Sequence, residues 1–248
     1  MKDRLDIDWN RIGKKWVACF DLLGFSEYVR DNDPLYIFYR WELLYAEFRN
    51  TLKRYPKLDF VHFSDTFLIY APDDLAGSFG QIERCSRWFF QHAILRKYPL
   101  CGAMACDEFY ADKPNGVFLG KALVEAHEYS EKFNWIGYTL CPSVLSRLQN
   151  PEVNLPSIPS RFRKADAPIA SGVEETVALL CGAGQGLDYI NALEEMELLA
   201  LEDMTRKQKL PDKIARVQAK YDNSIQFIQR FETAEQAARG SSSLTTVV

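Results

Sequence analysis

The sequence predicts an α+β fold: a mixed sheet with helices, followed by a C-terminal helical hairpin. Three observations predict it. Short β-forming apolar runs alternate with amphipathic segments in the order β-α-β-β-α-β-α-β. Two of those strands are separated only by the turn-forming pair Ser64-Asp65, and beyond residue 182 the pattern becomes helical. The expected division is an α/β domain over 1–182, a helical hairpin over 183–239 and a disordered tail over 240–248.

Each element follows from its residues. Trp16-Val-Ala-Cys-Phe-Asp-Leu-Leu-Gly-Phe25 is a buried strand ending near Asp21, closed by glycine. Asp33-Pro34 supplies an N-cap and a proline at the first helical position, and Leu35, Phe38, Trp41, Leu44, Phe48 and Leu52 recur at helical spacing up to Pro56. Leu58–Phe63 and Thr66–Tyr70 form a hairpin with Asp65 at its tip. Phe79, Ile82, Cys85, Phe89 and Ala93 fall on one face of a second helix. Leu100–Tyr110 is a strand rich in small residues, which predicts close packing, and it runs into a loop over Ala111–Gly116. Gly120–Phe133 is a third helix and Trp135–Leu140 a strand. Residues 149–172 lack a period and are expected to be loop, before a last strand over Glu175–Cys181. Two helical segments separated by Leu210-Pro211 should dock on the body or on a partner chain.

Composition narrows the function. Of 248 residues, 47% are hydrophobic and 26% charged, ordinary proportions for a folded chain. Thirty Lys and Arg against thirty-four Asp and Glu give a net charge of −4, so nucleic acid is not an expected partner. No apolar run is long enough to span a bilayer and the first residues are too charged for a secretory signal, so a cytoplasmic location without membrane association is expected. The six cysteines show no C-x-x-C spacing and are expected to be reduced core residues. None of the three histidines stands at ligand spacing from another histidine or from a cysteine pair, which argues against structural zinc.

The element order lays the first strand beside, and antiparallel to, the second strand of the hairpin. Asp21 and Asp65 would then meet at one edge of the sheet. Paired carboxylates are costly unless they share a cation or a proton. Two Mg²⁺ or Mn²⁺ ions are the economical filling, and nucleotidyl transfer is the reaction class they would serve. Leu22-Leu23-Gly24-Phe25-Ser26 turns from strand to helix and would offer backbone N–H groups to phosphates. The same residue types also serve as a helix cap and as ordinary turn formers, so spacing alone leaves both readings open.

Phe20-Asp21-Leu22-Leu23-Gly24-Phe25-Ser26 resembles the strand-turn motif Phe-x-Asp-Ile-x-Gly-Phe-Thr of class III adenylyl and guanylyl cyclase domains. Phe63-Ser64-Asp65 is similar to their second motif, Leu100-Cys-Gly-Ala-Met-Ala to a later strand, and Phe118–His127 to a helix start. The likeness spans roughly residues 14 to 182. It is nearer still to bacterial cyclase-domain-containing proteins that also carry a late Lys-Tyr-x-Asn segment, here Lys220-Tyr221-Asp222-Asn223. The resemblance implies a ferredoxin-like palm, a homodimer, a nucleoside triphosphate substrate, and two metal ions held by Asp21, Asp65 and the Leu22 carbonyl. It points towards bacterial nucleotide signalling, including defence against phage.

The departures concern the rest of the machinery. Glu125 and Tyr129 stand where the family has an asparagine and the transition-state arginine, and Ser171 stands where it has a phosphate-binding lysine. Val61 and Val117 occupy the base-reading positions. Lys121 and the cluster Arg161, Arg163 and Lys164 are the substitute cations on offer, and His62 is expected to pack in the hairpin. An atypical nucleotidyl cyclase is the leading expectation. A cyclase-like module that binds nucleotide without turnover is the alternative, and scaffolding through the C-terminal helices is a third.

Overall fold

The structure, a computed structural model, describes residues 12–151, 153, 162–169, 172–179 and 186–242. The expected α+β architecture is present. Strand β1 (Gly13–Leu22) lies inside the sheet, antiparallel both to β3 (Thr66–Tyr70) and to β4 (Leu100–Asp112). With β2 (Asp59–Phe63), β6 (Tyr138–Leu140), β7 (Phe162–Ile169) and β8 (Gly172–Leu179), the sheet runs in the order β2-β3-β1-β4-β6-β8-β7, and β5 (Val117–Leu119) pairs separately with β4.

The unbroken apolar run of β1 is explained by burial on both faces. Trp16, Ala18, Phe20 and Leu22 belong to the core that includes Phe79, Ile82, Cys85 and Phe89 of α3 (Ala76–Leu95). Val17 and Cys19 face the other way, onto Ala122 and Ala126 of α4 (Lys121–Lys132). Small residues permit these approaches: a Cβ on Gly102 would lie 2.1 Å from Phe20 Cδ1. At the start of α4, Gly120 has φ +144° and a Cβ there would lie 2.3 Å from the Glu108 carbonyl oxygen.

Helix α2 (Pro34–Leu52) begins as its sequence requires, with the Asp33 carboxylate accepting from the Leu35 and Tyr36 amides. The hairpin of β2 and β3 has Ser64 and Asp65 as its two-residue turn, Ser64 being left-handed at φ 54°. Several expectations need correction. Residues 162–169 form strand β7, paired with β8, where a loop was expected. Strand β4 continues through Ala111 and Asp112 and turns back into β5. Two short helices, α1 (Phe25–Asp31) and α5 (Pro142–Leu148), carry too few turns to show a period. Cys181 and the tail from 243 lie outside the described residues.

The C-terminal helices α6 (Gly186–Arg206) and α7 (Pro211–Ser242) dock on the body. Tyr189, Leu193, Met196 and Tyr221 join the core with Phe20 and Tyr138. Within the Lys-Tyr-Asp-Asn segment and just after it, Asn223 Nδ2 donates to the Asn134 carbonyl at 2.8 Å, and Ser224 Oγ accepts the Ile136 amide at 2.7 Å. Lys207 pairs with Asp31 and Lys213 with Glu27, tying the hairpin to α1.

Candidate functional site

The site begins where β1 ends. Asp21 is paired in register with Thr66, and the Leu22 amide donates to the Asp65 carbonyl at 3.0 Å, so the strand end and the hairpin turn are joined backbone to backbone. Thr66 Oγ1 donates to Asp21 Oδ1 at 2.6 Å. Asp21 and Asp65 are both half-buried. The Leu23 amide then donates to the Pro99 carbonyl at 2.9 Å. Gly24, at φ 74° and ψ 11°, caps α1, and its carbonyl accepts the Tyr28 amide at 2.9 Å. Leu23 and Gly24 therefore form the turn beyond β1, and Phe25 and Ser26 open α1.

The alternation of a strand puts Asp21 on the same face as Val17 and Cys19, the face that α4 covers. Two further side chains from that helix reach it. His127 and Glu131 stand one turn apart, with Nε2 and Oε2 3.7 Å from one another. One ligand atom from each of Asp21, His127 and Glu131 lies within 4.8 Å of the other two. Asp65 is not a member of this cluster. Beneath it the Cys19 thiol is pushed up to about 12, by burial first and then by the charges of Asp21 and Glu131. Carboxylates that close repel by about 1 kcal/mol even at the dielectric of bulk water. Among the described residues no lysine or arginine forms an ion pair with Asp21, Asp65 or Glu131.

Sequence reasoning passed over His127 and Glu131, because a search for histidine or cysteine partners misses a histidine whose partners are carboxylates. The usable signal was the His-x-x-x-Glu spacing on a helix beside its buried small-residue side, Ala122, Ala126 and Ser130. Glu125 and Tyr129 have structural work instead. Glu125 Oε1 accepts the Ser143 amide at 3.2 Å, and the Tyr129 hydroxyl lies 3.1 Å from Thr176 Oγ1.

Other expected participants lie apart from Asp21 in this chain. Lys121 pairs with Glu108 at 3.0 Å, and Glu108 is opposite Lys14, seven positions before Asp21. At ~3.3 Å per residue that is roughly 23 Å along the strand. Lys164 pairs with Glu175 at 3.4 Å, and Arg163 Nη1 donates to the Phe162 carbonyl at 3.0 Å, both on the far edge strand β7. Arg161 and Ser171 lie outside the described residues. His62 packs against Trp41 and Phe67, with ring centroids at 5.0 and 4.6 Å. Burial holds its pKa below the ordinary histidine value.

The donor set fits divalent cations. Carboxylate oxygens suit Mg²⁺ and Mn²⁺, and an imidazole nitrogen adds affinity for transition ions.

No family model and no curated protein matches the sequence. Solved structures do match. A rhodopsin-guanylyl cyclase catalytic core with converted specificity, in complex with ATPαS, is similar at TM-score 0.51 and 11% identity, covering 68% of this chain and 97% of that one. The guanylate cyclase domain of RhGC from Catenaria anguillulae, in complex with GTP, is similar at TM-score 0.50 and 10% identity, with the same coverage of 68% and 97%. The adenylyl cyclase CyaB from P. aeruginosa is similar at TM-score 0.51 and 8% identity, covering 69% and 95%. The chain has the fold of a class III cyclase catalytic domain. Across that fold the expected ferredoxin-like palm is therefore present, with the C-terminal helices in addition. Among the described residues no helix is long and apolar enough to cross a membrane.

Proposed function

We propose that this chain is an atypical nucleotidyl cyclase, converting a nucleoside triphosphate to a cyclic mononucleotide and pyrophosphate. One observation carries the reading. On a cyclase palm, the acidic residue ending β1 is bonded through its neighbour's amide to the backbone of the acidic residue in the adjoining turn, Leu22 N to Asp65 O at 3.0 Å. Asp21 and Asp65, with the Leu22 carbonyl, would hold two Mg²⁺ or Mn²⁺ ions. Bound there, such ions would neutralise triphosphate charge and acidify the attacking ribose hydroxyl. That hydroxyl oxygen bonds to the α-phosphorus, pyrophosphate leaves, and the hydroxyl proton passes to solvent. Thr66 fixes the Asp21 carboxylate, and the segment Leu23–Ser26 would lie beside the triphosphate.

Helix α4 carries no arginine. Loss of a transition-state arginine costs roughly 10³- to 10⁵-fold in rate in phosphoryl transfer, so turnover is slow unless a second protomer supplies the cation. The proposal includes a homodimer, and the exposed row Leu35, Phe38 and Tyr39 on α2 is the surface we assign to it. The five described cysteines are free and buried, as in a reducing cytoplasm where triphosphates are abundant.

Purified protein with Mn²⁺ should release pyrophosphate from at least one of the four nucleoside triphosphates, and Asp65→Ala should abolish it. A wild type inert with all four contradicts the proposal. The missing arginine and the engaged Glu125 and Tyr129 favour a second reading, a palm that binds nucleotide without turnover. It predicts a raised melting temperature with a triphosphate and no pyrophosphate, and metal-dependent product would remove it.

A further inference from the structure

We infer that Asp21, His127 and Glu131 form a cation site that selects a first-row transition ion over Mg²⁺, with Mn²⁺ as the ion that probes it. The inference rests on the cyclase reading for the ion's use, and on geometry alone for its binding.

Three donors converge from two elements that pack on one another. Asp21 projects from the end of β1, and His127 and Glu131 from consecutive turns of α4. Ligand atoms about 2.1 Å from a common ion lie about 3.0 to 3.5 Å from one another. The 3.7 Å between His127 Nε2 and Glu131 Oε2 is close to that spacing, and it is too long for a hydrogen bond that would occupy either lone pair. All three ligand atoms fall within 4.8 Å of each other, so side-chain rotations alone bring them onto one ion. The first carboxylate is already oriented by its hydrogen bond from Thr66, as metal-bound carboxylates commonly are.

The imidazole sets the selectivity. Mg²⁺ takes oxygen ligands and dehydrates reluctantly, whereas a nitrogen donor adds affinity for the first-row transition ions. Two carboxylates and one histidine leave coordination positions for water or a phosphate oxygen. Helix α4 thus contributes a metal ligand pair from a helix that carries no arginine. Mn²⁺ is the member of the series that is also served by oxygen ligands, which form the majority of this set.

The test uses the full chain with Mn²⁺ and no nucleotide. In a titration followed by electron paramagnetic resonance, the wild type should bind Mn²⁺ and keep it against a tenfold excess of Mg²⁺. Electron spin echo modulation should show nitrogen coupling from the imidazole. His127→Ala should remove that coupling and weaken Mn²⁺ by more than the roughly 10- to 100-fold typical of losing an outer-shell partner, with Mg²⁺ affinity changed far less. Glu131→Gln should weaken Mn²⁺ while keeping the nitrogen coupling. Both side chains are exposed, at 47% and 63%, so both variants should melt with the wild type. A wild type that binds no Mn²⁺, or a His127→Ala variant with unchanged affinity and Mn²⁺ to Mg²⁺ ratio, overturns the inference. Asp65→Ala should keep the nitrogen coupling while losing pyrophosphate release. Coupling in a protein that makes no product discards the cyclase reading alone, and product without coupling discards this one.

Discussion

Thr66 holds the carboxylate of Asp21 from the neighbouring strand, its hydroxyl 2.6 Å from Oδ1 across the antiparallel pairing of β3 and β1. The bond fixes the one acidic side chain that the hairpin turn and helix α4 both approach. Thr66→Val removes the donor and keeps the shape. Metal affinity, measured by calorimetric titration with Mn²⁺, should fall roughly 10- to 100-fold. Thr66→Ser should restore most of it, and an unchanged affinity in the valine variant would show that the bond is incidental.

Gly120 sets where α4 begins and so where His127 and Glu131 arrive. Its φ of +144° and the Glu108 carbonyl 2.3 Å from any added Cβ leave no room for a side chain. Gly120→Ala should destabilise the protein by roughly 1–3 kcal/mol, the range for a forced steric insertion, in urea denaturation. It should also weaken Mn²⁺ binding in the protein that remains folded. A variant as stable as the wild type contradicts the close approach.

Ser224 anchors α7 by accepting the Ile136 amide at 2.7 Å while donating to the Lys220 carbonyl at 2.6 Å, and it is buried. Ser224→Ala leaves a buried amide without its acceptor, a cost of roughly 1–3 kcal/mol. The expected readout is a lower urea midpoint and faster hydrogen exchange in α7. Equal exchange in the two proteins would mean that the helix is held elsewhere.

What the sequence revealed, and what it concealed, follows from how local the determinants are. The meeting of β1 and the hairpin turn was readable because a buried apolar run fixes β1 and because two turn residues fix the hairpin register. Asp33-Pro34 announced α2 through the chemistry of a single cap. The α4 contribution was hidden, since it depends on which face of the sheet Asp21 takes and on how the helix is rotated when it docks. Strand β7 was hidden for another reason. As an edge strand it carries Arg163, Lys164, Asp166 and Pro168 among few buried residues, the composition that blunts an exposed edge and also erases the apolar alternation.

His62 gives the fold a pH dependence of known sign. Burial against Trp41 and Phe67 lowers its pKa from the ordinary value of 6.5, so the unfolded chain binds the proton more readily than the folded one. The contribution to stability is therefore complete above pH 6.5 and declines as the pH falls through that value towards the lower folded pKa. His62→Gln should flatten the slope of melting temperature between about pH 7 and pH 5. An unchanged slope would assign the acid sensitivity to carboxylates instead.

Anomalous diffraction at the manganese edge, from crystals grown with Mn²⁺ and a non-reacting triphosphate analogue, would locate the ions relative to both aspartates. Manganese peaks coordinated by the carboxylates of Asp21 and Asp65 are expected, with the analogue's phosphates beside Leu23–Ser26. A triphosphate bound elsewhere, or manganese that touches neither aspartate, would contradict it.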